Sequence, residues 1–412
     1  MTQGASPAGL PAAQAAAPVT TPADARVVAP VVARAVAQPA SATGLVLTGG
    51  GARAAYQVGV LKAIAELLPD KTRNPFPIIC GTSAGAINAV TLACYSRDFG
   101  QAVQYLRQVW EGFHAHHVYR ADPLGIGKTG AHWLGALMAG WIVKTAPKSL
   151  LDNAPLADLL RRTLKLNDID AALKAGALHA ICITASGYAS GQSVNFYDGI
   201  DTIQPWTRHA RVSARVKLTV EHLLASSAIP FIFPAVQINR EFFGDGSMRQ
   251  LAPISPAIHL GASKILVIGA GRISEPPDRV HGASYPSLAQ IAGHALSSIF
   301  LDSLNVDIER VQRVNHTITL LTPEARAAAL LRPVEILVIA PSQRLDMLAA
   351  KHVKSLPWPV RALLRGIGAM NRKGSALASY LLFEQDYTRA LIDLGYADTM
   401  ERRDEVLRFL ET

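Results

Sequence analysis

Short apolar runs alternate along the chain with longer segments in which apolar residues recur every three or four positions. The short runs, bounded by turn-forming residues, predict buried strands, and the longer periodic segments predict helices. The predicted core strands are Leu45–Thr48, Pro77–Cys80, Ala180–Ala185, Val194–Tyr197, Ile265–Ile268 and Glu335–Ile339. Because helical segments lie between most of them, we expect an α/β fold, a three-layer sandwich with a mainly parallel central sheet.

Composition divides the chain into three regions. Residues 1–43 consist largely of Ala, Pro, Val and Thr with few charges and no aromatic side chains, which predicts a disordered tail. No basic segment precedes a sustained apolar stretch there, so a signal peptide is not expected. Residues 44–340 carry the alternating pattern and are predicted to form one domain. Residues 341–412 are rich in helix-forming residues and predict a helical C-terminal extension.

The balance of apolar and charged residues narrows the class of protein. Half of the 412 residues are hydrophobic, which is enough for one large core. The net charge is +9, but we find no Arg-rich helix with base-reading side chains, so a nucleic-acid partner is not expected. The positive charge is compatible with peripheral contact with an anionic membrane. Cys80, Cys94 and Cys182 lie in apolar segments, as expected of reduced thiols in a cytoplasmic protein. No uncharged apolar stretch of about 18 residues predicts a transmembrane helix.

Ser83 is the strongest candidate for catalysis. It lies in Gly81-Thr82-Ser83-Ala84-Gly85, after an apolar run and before a helix-forming segment. Strand, tight turn and helix with a serine at the turn is the layout of a nucleophile elbow. Gly81 and Gly85 allow the sharp bend, because a glycine brings no Cβ into close approach. The helix N-terminus that follows favours developing negative charge.

A second glycine-rich turn, Gly49-Gly50-Gly51-Ala52-Arg53, follows the first predicted strand and precedes a helix. It does not match a dinucleotide fingerprint, because Ala54 replaces the third glycine and no acidic residue is placed on a second strand. It does not match a P-loop, because no Gly-Lys-Ser/Thr follows. Its backbone N–H groups suit an oxyanion hole for acyl chemistry at Ser83. A turn that only packs helix on strand is the alternative.

Asp245 lies between two glycines in Phe242-Phe243-Gly244-Asp245-Gly246-Ser247. A carboxylate after an aromatic strand and between glycines indicates a rigid loop that presents one acid. The alternative is an ordinary Asp-Gly hairpin turn.

Taken in order, these segments resemble the patatin-like phospholipase family. The resemblance covers the chain from about Gly44 to the C-terminus and is strongest up to Gly269. The segments that carry it are Gly49–Arg53, Gly81–Gly85 and Asp245-Gly246, with further matches at Leu151–Leu156, Ala225–Pro230, Phe233-Pro234 and Leu394–Asp398.

The resemblance implies a serine acyl hydrolase that uses a Ser/Asp dyad without a catalytic histidine. It implies Ser83 as the nucleophile and Asp245 as its partner. It also implies an oxyanion hole built from the backbone amides of Gly50, Gly51 and Ala52, with Arg53 beside it. Ala54 and Ser247 depart from the family pattern, but both are small enough for the turns to form.

A dyad of this kind has to raise the basicity of its acid. A free Asp is a poor base for a serine hydroxyl, and burial in apolar surroundings raises its pKa. The apolar residues Phe231–Phe233 and Phe242-Phe243 are predicted to provide that surrounding. Attack by Ser83 on an ester would form an acyl-enzyme, and water activated by Asp245 would release the fatty acid.

Histidine offers two alternatives that the sequence does not favour. An α/β-hydrolase triad would need a histidine after the acid, and none of the candidates lies in a distinctive loop. These candidates are His259, His281, His294, His316 and His352. His114, His116 and His117 cluster without a Cys or carboxylate at ligand spacing, so no metal site is expected. We find no calcium-binding loop and expect no cofactor.

Two segments suggest contact with lipid. Trp133–Val143 is apolar with two tryptophans, which favours a lid over the site, although a buried core helix is equally compatible. In the C-terminal region, basic residues interleave with apolar ones in a pattern that fits an anionic leaflet or a solvated helix face. The basic residues are Lys351, Lys354, Arg361, Arg365, Arg372 and Lys373, and the apolar ones are Leu356, Trp358, Val360, Leu363 and Leu364.

The sequence therefore predicts a phospholipase A or lipase-type acyl hydrolase that acts on lipid or phospholipid esters. Two alternatives stay open: a soluble short-chain esterase or thioesterase with the same dyad, and a lipid-binding module without turnover.

Overall fold

The structure is a computed structural model that describes residues 42–123, 149–272, 285–328, 331–366, 368–370 and 374–411. The Trp133–Val143 segment, nearly all of the predicted N-terminal tail, His281, Arg372 and Lys373 lie outside these described residues. No helix within the described ranges is long and apolar enough to cross a membrane.

A ten-stranded sheet forms the centre of the fold. Its strands are β1 Ala42–Leu47, β2 Ile78–Thr82, β3 Ala180–Gly187, β4 Ser193–Gly199, β5 Thr207–Arg208, β6 Arg211–Arg215, β7 Val236–Ile238, β8 Glu241–Asp245, β9 Ala262–Ile268 and β10 Glu335–Ile339. The strand order is β10-β9-β1-β2-β3-β4-β6-β5, and β8 pairs with both β3 and β7. The five strands from β10 to β3 pair in parallel, as does β6 with β4, while the β3–β4, β3–β8, β5–β6 and β7–β8 pairs are antiparallel.

Sixteen α-helices of the described residues surround the sheet or connect its strands. They are α1 Ala55–Leu67, α2 Ala84–Cys94, α3 Phe99–Glu111, α4 Ala115–Val118, α5 Ala154–Thr163, α6 Asp168–Lys174, α7 Val220–Ser226, α8 Ser255–His259, α9 Leu288–Ser297, α10 Ser303–Thr319, α11 Pro323–Ala328, α12 Leu345–His352, α13 Trp358–Gly366, α14 Ser375–Leu381, α15 Gln385–Glu401 and α16 Arg403–Leu410. A π-helical segment, Ser298–Asp302, joins α9 to α10.

Alternate strand residues face two separate cores, which makes the fold three-layered. Leu45 and Leu47 of β1 pack in one hydrophobic cluster with residues of α1, α2 and α3. Val46, between them, packs in a second cluster with Ile254, Ile308 and other residues of the opposite face. This follows from the strand period of two, because successive side chains point to opposite faces of a sheet. The predicted three-layer α/β fold with a mainly parallel sheet is confirmed.

The six predicted core strands are all present, with ends that differ by a few residues. The sequence analysis did not place β5, β6 or β7. These strands are short and lie largely in exposed or half-buried positions, so they lack the apolar run that identified the others. The three cysteines are free and buried, in agreement with the prediction of unpaired thiols.

The C-terminal helices pack closely on the first helix of the fold. Gly59 of α1 lies against the backbone of Ile392 in α15, and Gly395 of α15 lies against the backbone of Tyr56. A Cβ at either glycine would overlap a main-chain atom, so the two helices meet backbone to backbone. Tyr56 Oη also donates to Asp398 Oδ2 at 2.9 Å. The helical C-terminal region that the sequence predicted is confirmed, and the domain boundaries stay a prediction.

Helix α13 presents one apolar face to the core. Val360 and Leu364 are buried, whereas Arg365 is exposed and Trp358 is 62% exposed. The basic residues before it, Lys351 and Lys354, are also exposed. Apolar and basic positions therefore separate onto two sides of this region, as expected for an amphipathic helix.

Candidate active site

Ser83 occupies a strained turn between β2 and α2. Its backbone has φ 55° and ψ −131°, in the region of positive φ that side chains rarely adopt. A Cβ at Gly81 would overlap the backbone of α2, and one at Gly85 would overlap the carbonyl oxygens that end β1. The Ser83 amide donates to Ser226 Oγ at 2.9 Å, and that hydroxyl donates to the Thr184 carbonyl at 2.7 Å. The turn is thus fixed by close packing and by a buried hydrogen-bond chain.

Asp245 is the last residue of β8 and lies opposite Ala185 of β3. Ser83 Oγ donates a hydrogen bond to Asp245 Oδ2 at 2.6 Å. The Ser247 amide donates to Asp245 Oδ1 at 2.9 Å, so each carboxylate oxygen has one donor. Gly246 packs against the Thr184 carbonyl so closely that no Cβ would fit there. The structure brings the two predicted residues into direct contact.

Both members of this pair are buried, which changes the acidity of the carboxyl group. Ser83 is 1% exposed and Asp245 is fully buried. Burial raises the pKa of Asp245 from 3.8 to about 6, against the opposing effect of hydrogen bonds from Ser83 and Ser247. At neutral pH the carboxyl group is still mostly ionised, so it is a stronger proton acceptor than an exposed Asp and is ready to accept.

Histidine does not contribute to this pair in the described parts of the chain. The donors to Asp245 are Ser83 and Ser247. His259 bonds within α8 to the Ser255 carbonyl and stacks on Trp206. His114 bonds to the Glu384 carboxylate at 2.9 Å.

The glycine-rich turn after β1 reaches the same cavity as Ser83. Gly51 lies in the left-handed region with φ 54° and begins a 3₁₀ turn, Gly51–Ala54. A Cβ at Gly51 would overlap the Tyr380 carbonyl, and one at Gly49 would overlap Ser247. Within the described residues, neither the Gly50 nor the Gly51 amide donates to a protein acceptor. These amides are available to an anionic oxygen.

The Arg53 side chain contacts Ser379 and Tyr380. Its Nε donates to Ser379 Oγ at 2.8 Å, and its guanidinium lies 4.0 Å from the centre of the Tyr380 ring. Its side chain borders a cleft whose described lining residues differ from those of the Ser83 cavity. The backbone of Arg53 belongs to the glycine turn, but Arg53 is not among the described residues that line the Ser83 cavity.

An apolar cavity extends from Ser83 into the space between α2, α3, α5 and the segment after α14. Its lining is dominated by aliphatic and aromatic side chains, which suit a hydrocarbon chain. The described lining residues are Gly51, Ser83, Ala84, Ile87, Thr91, Tyr105, Leu106, Val109, Trp110, Phe113, Val118, Leu156, Leu160, Thr163, Leu164, Ser227, Ile229, Phe233 and Phe383. Sequence analysis missed most of this lining, because an apolar helix face looks the same whether it borders a core or a cavity.

The fold is of the α/β class, and its candidate site places a serine hydroxyl, a buried carboxylate and an apolar cavity side by side. The patatin-like phospholipase family matches residues 45–258, more than half of the chain. The chain belongs to this family, as the sequence resemblance indicated, and membership supports a lipid hydrolase activity.

Comparison with individual proteins gives more distant similarities. A cGAMP-activated phospholipase of Pseudomonas aeruginosa is 27% identical over 210 residues, which cover 51% of this chain and 53% of that protein. The chain thus spans about half the length of this curated relative. Among solved structures, human GIVD cytosolic phospholipase A2 with a fluorophosphonate inhibitor has a TM-score of 0.39 at 13% identity, covering 90% of this chain and 60% of that one. VipD from Legionella pneumophila has a TM-score of 0.29 at 12% identity, covering 86% of this chain and 67% of that one.

Proposed function

We propose that this protein hydrolyses carboxylic esters of lipids, as a phospholipase A or lipase, through an acyl-enzyme on Ser83. The observation that carries the proposal is the 2.6 Å hydrogen bond between Ser83 Oγ and Asp245 Oδ2, buried beside an apolar cavity. A nucleophile within hydrogen-bond reach of a base is the basic requirement of covalent acyl transfer.

In the first half-reaction, Asp245 accepts the Ser83 proton as Oγ attacks the ester carbonyl. The tetrahedral intermediate then collapses, and the alcohol leaves with the proton that Asp245 returns. In the second half-reaction, water attacks the acyl group while Asp245 accepts a proton from it. The fatty acid leaves, and the proton restores the Ser83 hydroxyl. Asp245 is the general base in both steps, consistent with a pKa raised by burial.

The oxyanion of each intermediate is held by backbone amides of the glycine turn, proposed as Gly50, Gly51 and Ala52. Gly51 lines the cavity beside Ser83 and is held by packing against Tyr380. Donors fixed in place before the reaction stabilise developing charge without reorganisation. Arg53 stabilises this turn by packing on Tyr380, whose carbonyl lies against Gly51.

A lipid surface is the proposed source of substrate. Phe231 is 80% exposed with φ 65°, although its own carbonyl and that of Ile232 accept hydrogen bonds from the Leu150 and Leu151 amides. Its neighbours Ile229 and Phe233 line the Ser83 cavity. A rigid loop that holds an aromatic ring in water next to an acyl cavity suits insertion into a lipid interface.

Hydrolysis of p-nitrophenyl esters of graded chain length, with and without anionic phospholipid vesicles, tests the proposal. We expect activity that rises with acyl length in the wild type and is lost in Ser83→Ala. Ser96→Ala is the matched control, because Ser96 is a buried serine at the other end of α2 that bonds to the Leu92 carbonyl. Activity confined to short esters would favour the soluble esterase. Folded protein that neither turns over nor reacts with a fluorophosphonate would favour the lipid-binding module.

A further inference from the structure

Arg53 is a buried cation without a carboxylate partner. It is 4% exposed, and its polar contact is the Nε hydrogen bond to Ser379 Oγ, beside the stack on Tyr380. No carboxylate oxygen of the described residues forms an ion pair with it under a 4.0 Å limit. A buried charge without a counter-ion is unfavourable, so a buried arginine of this kind is a candidate for pairing with the anionic group of a ligand.

Arg53 borders a cleft of about 820 Å³, a size typical of ligand sites. Arg272 and Arg344 lie on the same cleft. Arg344 forms a bidentate pair with Asp346, at 3.3 Å and 2.8 Å, and this pair is close to neutral. Arg272, like Arg53, forms no ion pair within the described ranges. Among the described residues, two cations therefore border the cleft without a direct ion pair to a carboxylate.

The other charged groups of the described lining reduce this excess to one positive charge. Asp302 is a carboxylate whose hydrogen-bond donor, the Ser298 hydroxyl at 2.5 Å, is neutral, and His294 is the remaining titratable group. Burial opposes ionisation of Asp346, but the hydrogen bond and charge of Arg344, with a smaller contribution from the charge of Arg53, lower its pKa, so this carboxylate stays ionised and held by Arg344.

We propose that this cleft binds a phosphate-bearing small molecule whose phosphate lies between Arg53 and Arg272. Guanidinium groups bind phosphate oxygens through paired, charge-assisted hydrogen bonds. The same cleft offers apolar contacts from Ile291, Leu301 and Leu345 and amide groups from Gln290 and Asn305 for an organic part. The ligand is therefore an organic phosphate ester, either a soluble one or the head group of a phospholipid.

The site is coupled to the proposed oxyanion turn through Tyr380. The Tyr380 ring supports the Arg53 guanidinium, and the Tyr380 carbonyl packs against the α-carbon of Gly51. Arg53 and Gly51 also share the turn Gly51–Ala54. A phosphate that fixes Arg53 thereby restrains Gly51, which lines the Ser83 cavity. This step rests on the proposed function, and binding at the cleft does not.

Calorimetric titration of full-length Ser83→Ala protein tests binding without turnover. The probes are inorganic phosphate, adenosine 5′-monophosphate and sn-glycero-3-phosphocholine. We expect saturable binding of one organic phosphate, weakened about tenfold or more by adding Arg272→Gln, since a charge-assisted contact is lost. Adding Arg240→Gln instead, which removes the same charge from an exposed turn, leaves binding unchanged. Tighter binding of the nucleotide identifies a soluble ester, and tighter binding of glycerophosphocholine identifies a head group. No saturable binding, or equal loss in both variants, overturns the proposal.

Kinetics on p-nitrophenyl butyrate tests the coupling. With the tighter-binding probe present, we expect kcat of the wild type to rise with KM unchanged, and kcat of Arg272→Gln to stay insensitive to the probe. A probe that binds but changes neither constant overturns the coupling alone. Absence of Ser83-dependent hydrolysis would contradict the proposed function, while the binding result would still decide the cleft.

Discussion

The Ser83 hydroxyl donates to the Asp245 carboxylate at 2.6 Å, although 162 positions of sequence separate the two residues. Thr184 lies between them in the fold: its carbonyl accepts from Ser226, which holds the Ser83 amide, and also packs on Gly246. One strand therefore positions both sides of the pair.

Asp245→Asn should reduce kcat/KM for ester hydrolysis by about 10²- to 10⁴-fold, the usual contribution of a general base. An amide of the same shape does not accept the Ser83 proton. Steady-state kinetics on a soluble ester measures the loss. Asp307→Asn is the matched control: Asp307 is a buried aspartate that accepts from the Ile254 amide, and its replacement should leave kcat unaltered. Equal losses in the two variants would point to a structural effect.

The activity should depend on a single group with an apparent pKa of about 6. Asp245 accepts a proton only when ionised, and burial raises its pKa to that value. The kcat/KM should therefore be constant above neutral pH and fall tenfold per unit below about pH 6. A pH–rate profile on a substrate without ionisable groups measures this. A midpoint near pH 4 would mean that Asp245 is not desolvated during the reaction.

The same shift predicts that Asp245 limits stability at neutral pH. The folded-state pKa of about 6 exceeds the ordinary Asp pKa of 3.8, so the native state binds the proton more tightly than the unfolded chain. The protonated Asp245 contributes its whole stabilisation below about pH 4, and this stabilisation is lost as the pH rises through 6. Asp245→Asn should therefore raise the free energy of unfolding at pH 8 by about 3 kcal/mol. Urea unfolding at pH 8 measures this, and a less stable variant would contradict it.

Ser226→Ala should lower kcat with little change in KM. The Ser226 hydroxyl accepts from the Ser83 amide and donates to the Thr184 carbonyl, so its loss removes the acceptor of the buried Ser83 amide and one donor to Thr184. The expected cost is about 1–3 kcal/mol of stability, together with a less fixed nucleophile. Kinetics and thermal unfolding, with Ser96→Ala as the reference, separate the two effects. A stability loss with kcat intact would restrict Ser226 to a structural role.

Ile87→Trp should shift the preference of the enzyme toward short acyl chains. Ile87 lies one helical turn after Ser83, is half-buried and lines the apolar cavity. A larger side chain there narrows the space beside the nucleophile. The ratio of kcat/KM for p-nitrophenyl palmitate to that for p-nitrophenyl acetate should fall. An unchanged ratio would show that the acyl chain follows another path.

Phe231→Ser should reduce hydrolysis of phospholipid in vesicles more than hydrolysis of a soluble ester. Phe231 is exposed beside the cavity and does not line it, so the reacting groups are undisturbed. Tyr285→Ser, at a ring that is 90% exposed in another part of the chain, is the control. Trp358→Ser tests a competing membrane contact, the exposed surface formed by Trp358 with the basic residues Lys351, Lys354 and Arg365. A selective loss in the Trp358 variant alone would move the membrane contact to that surface.

Local pattern was sufficient for the strands and turns that carry the site. Apolar runs placed β1, β2, β3, β4, β9 and β10, because strands buried on both faces have few polar residues. The spacing of glycines predicted the Ser83 turn, and the structure shows which backbone atoms would meet a Cβ there. The catalytic roles of Ser83 and Asp245 stay predictions that the experiments above test.

The sequence by itself determined the three-layer class and the residues that form the two glycine turns, since period and turn chemistry are local properties. Only the tertiary structure decided what meets across the molecule. Phe383 from the C-terminal region joins Trp110 in one cavity wall, and Arg53 turns away from Ser83 to stack on Tyr380. Such contacts depend on how distant faces pack, and the identity of an apolar face does not specify its partner. The raised pKa of Asp245 has the same origin, because burial is a property of the whole fold.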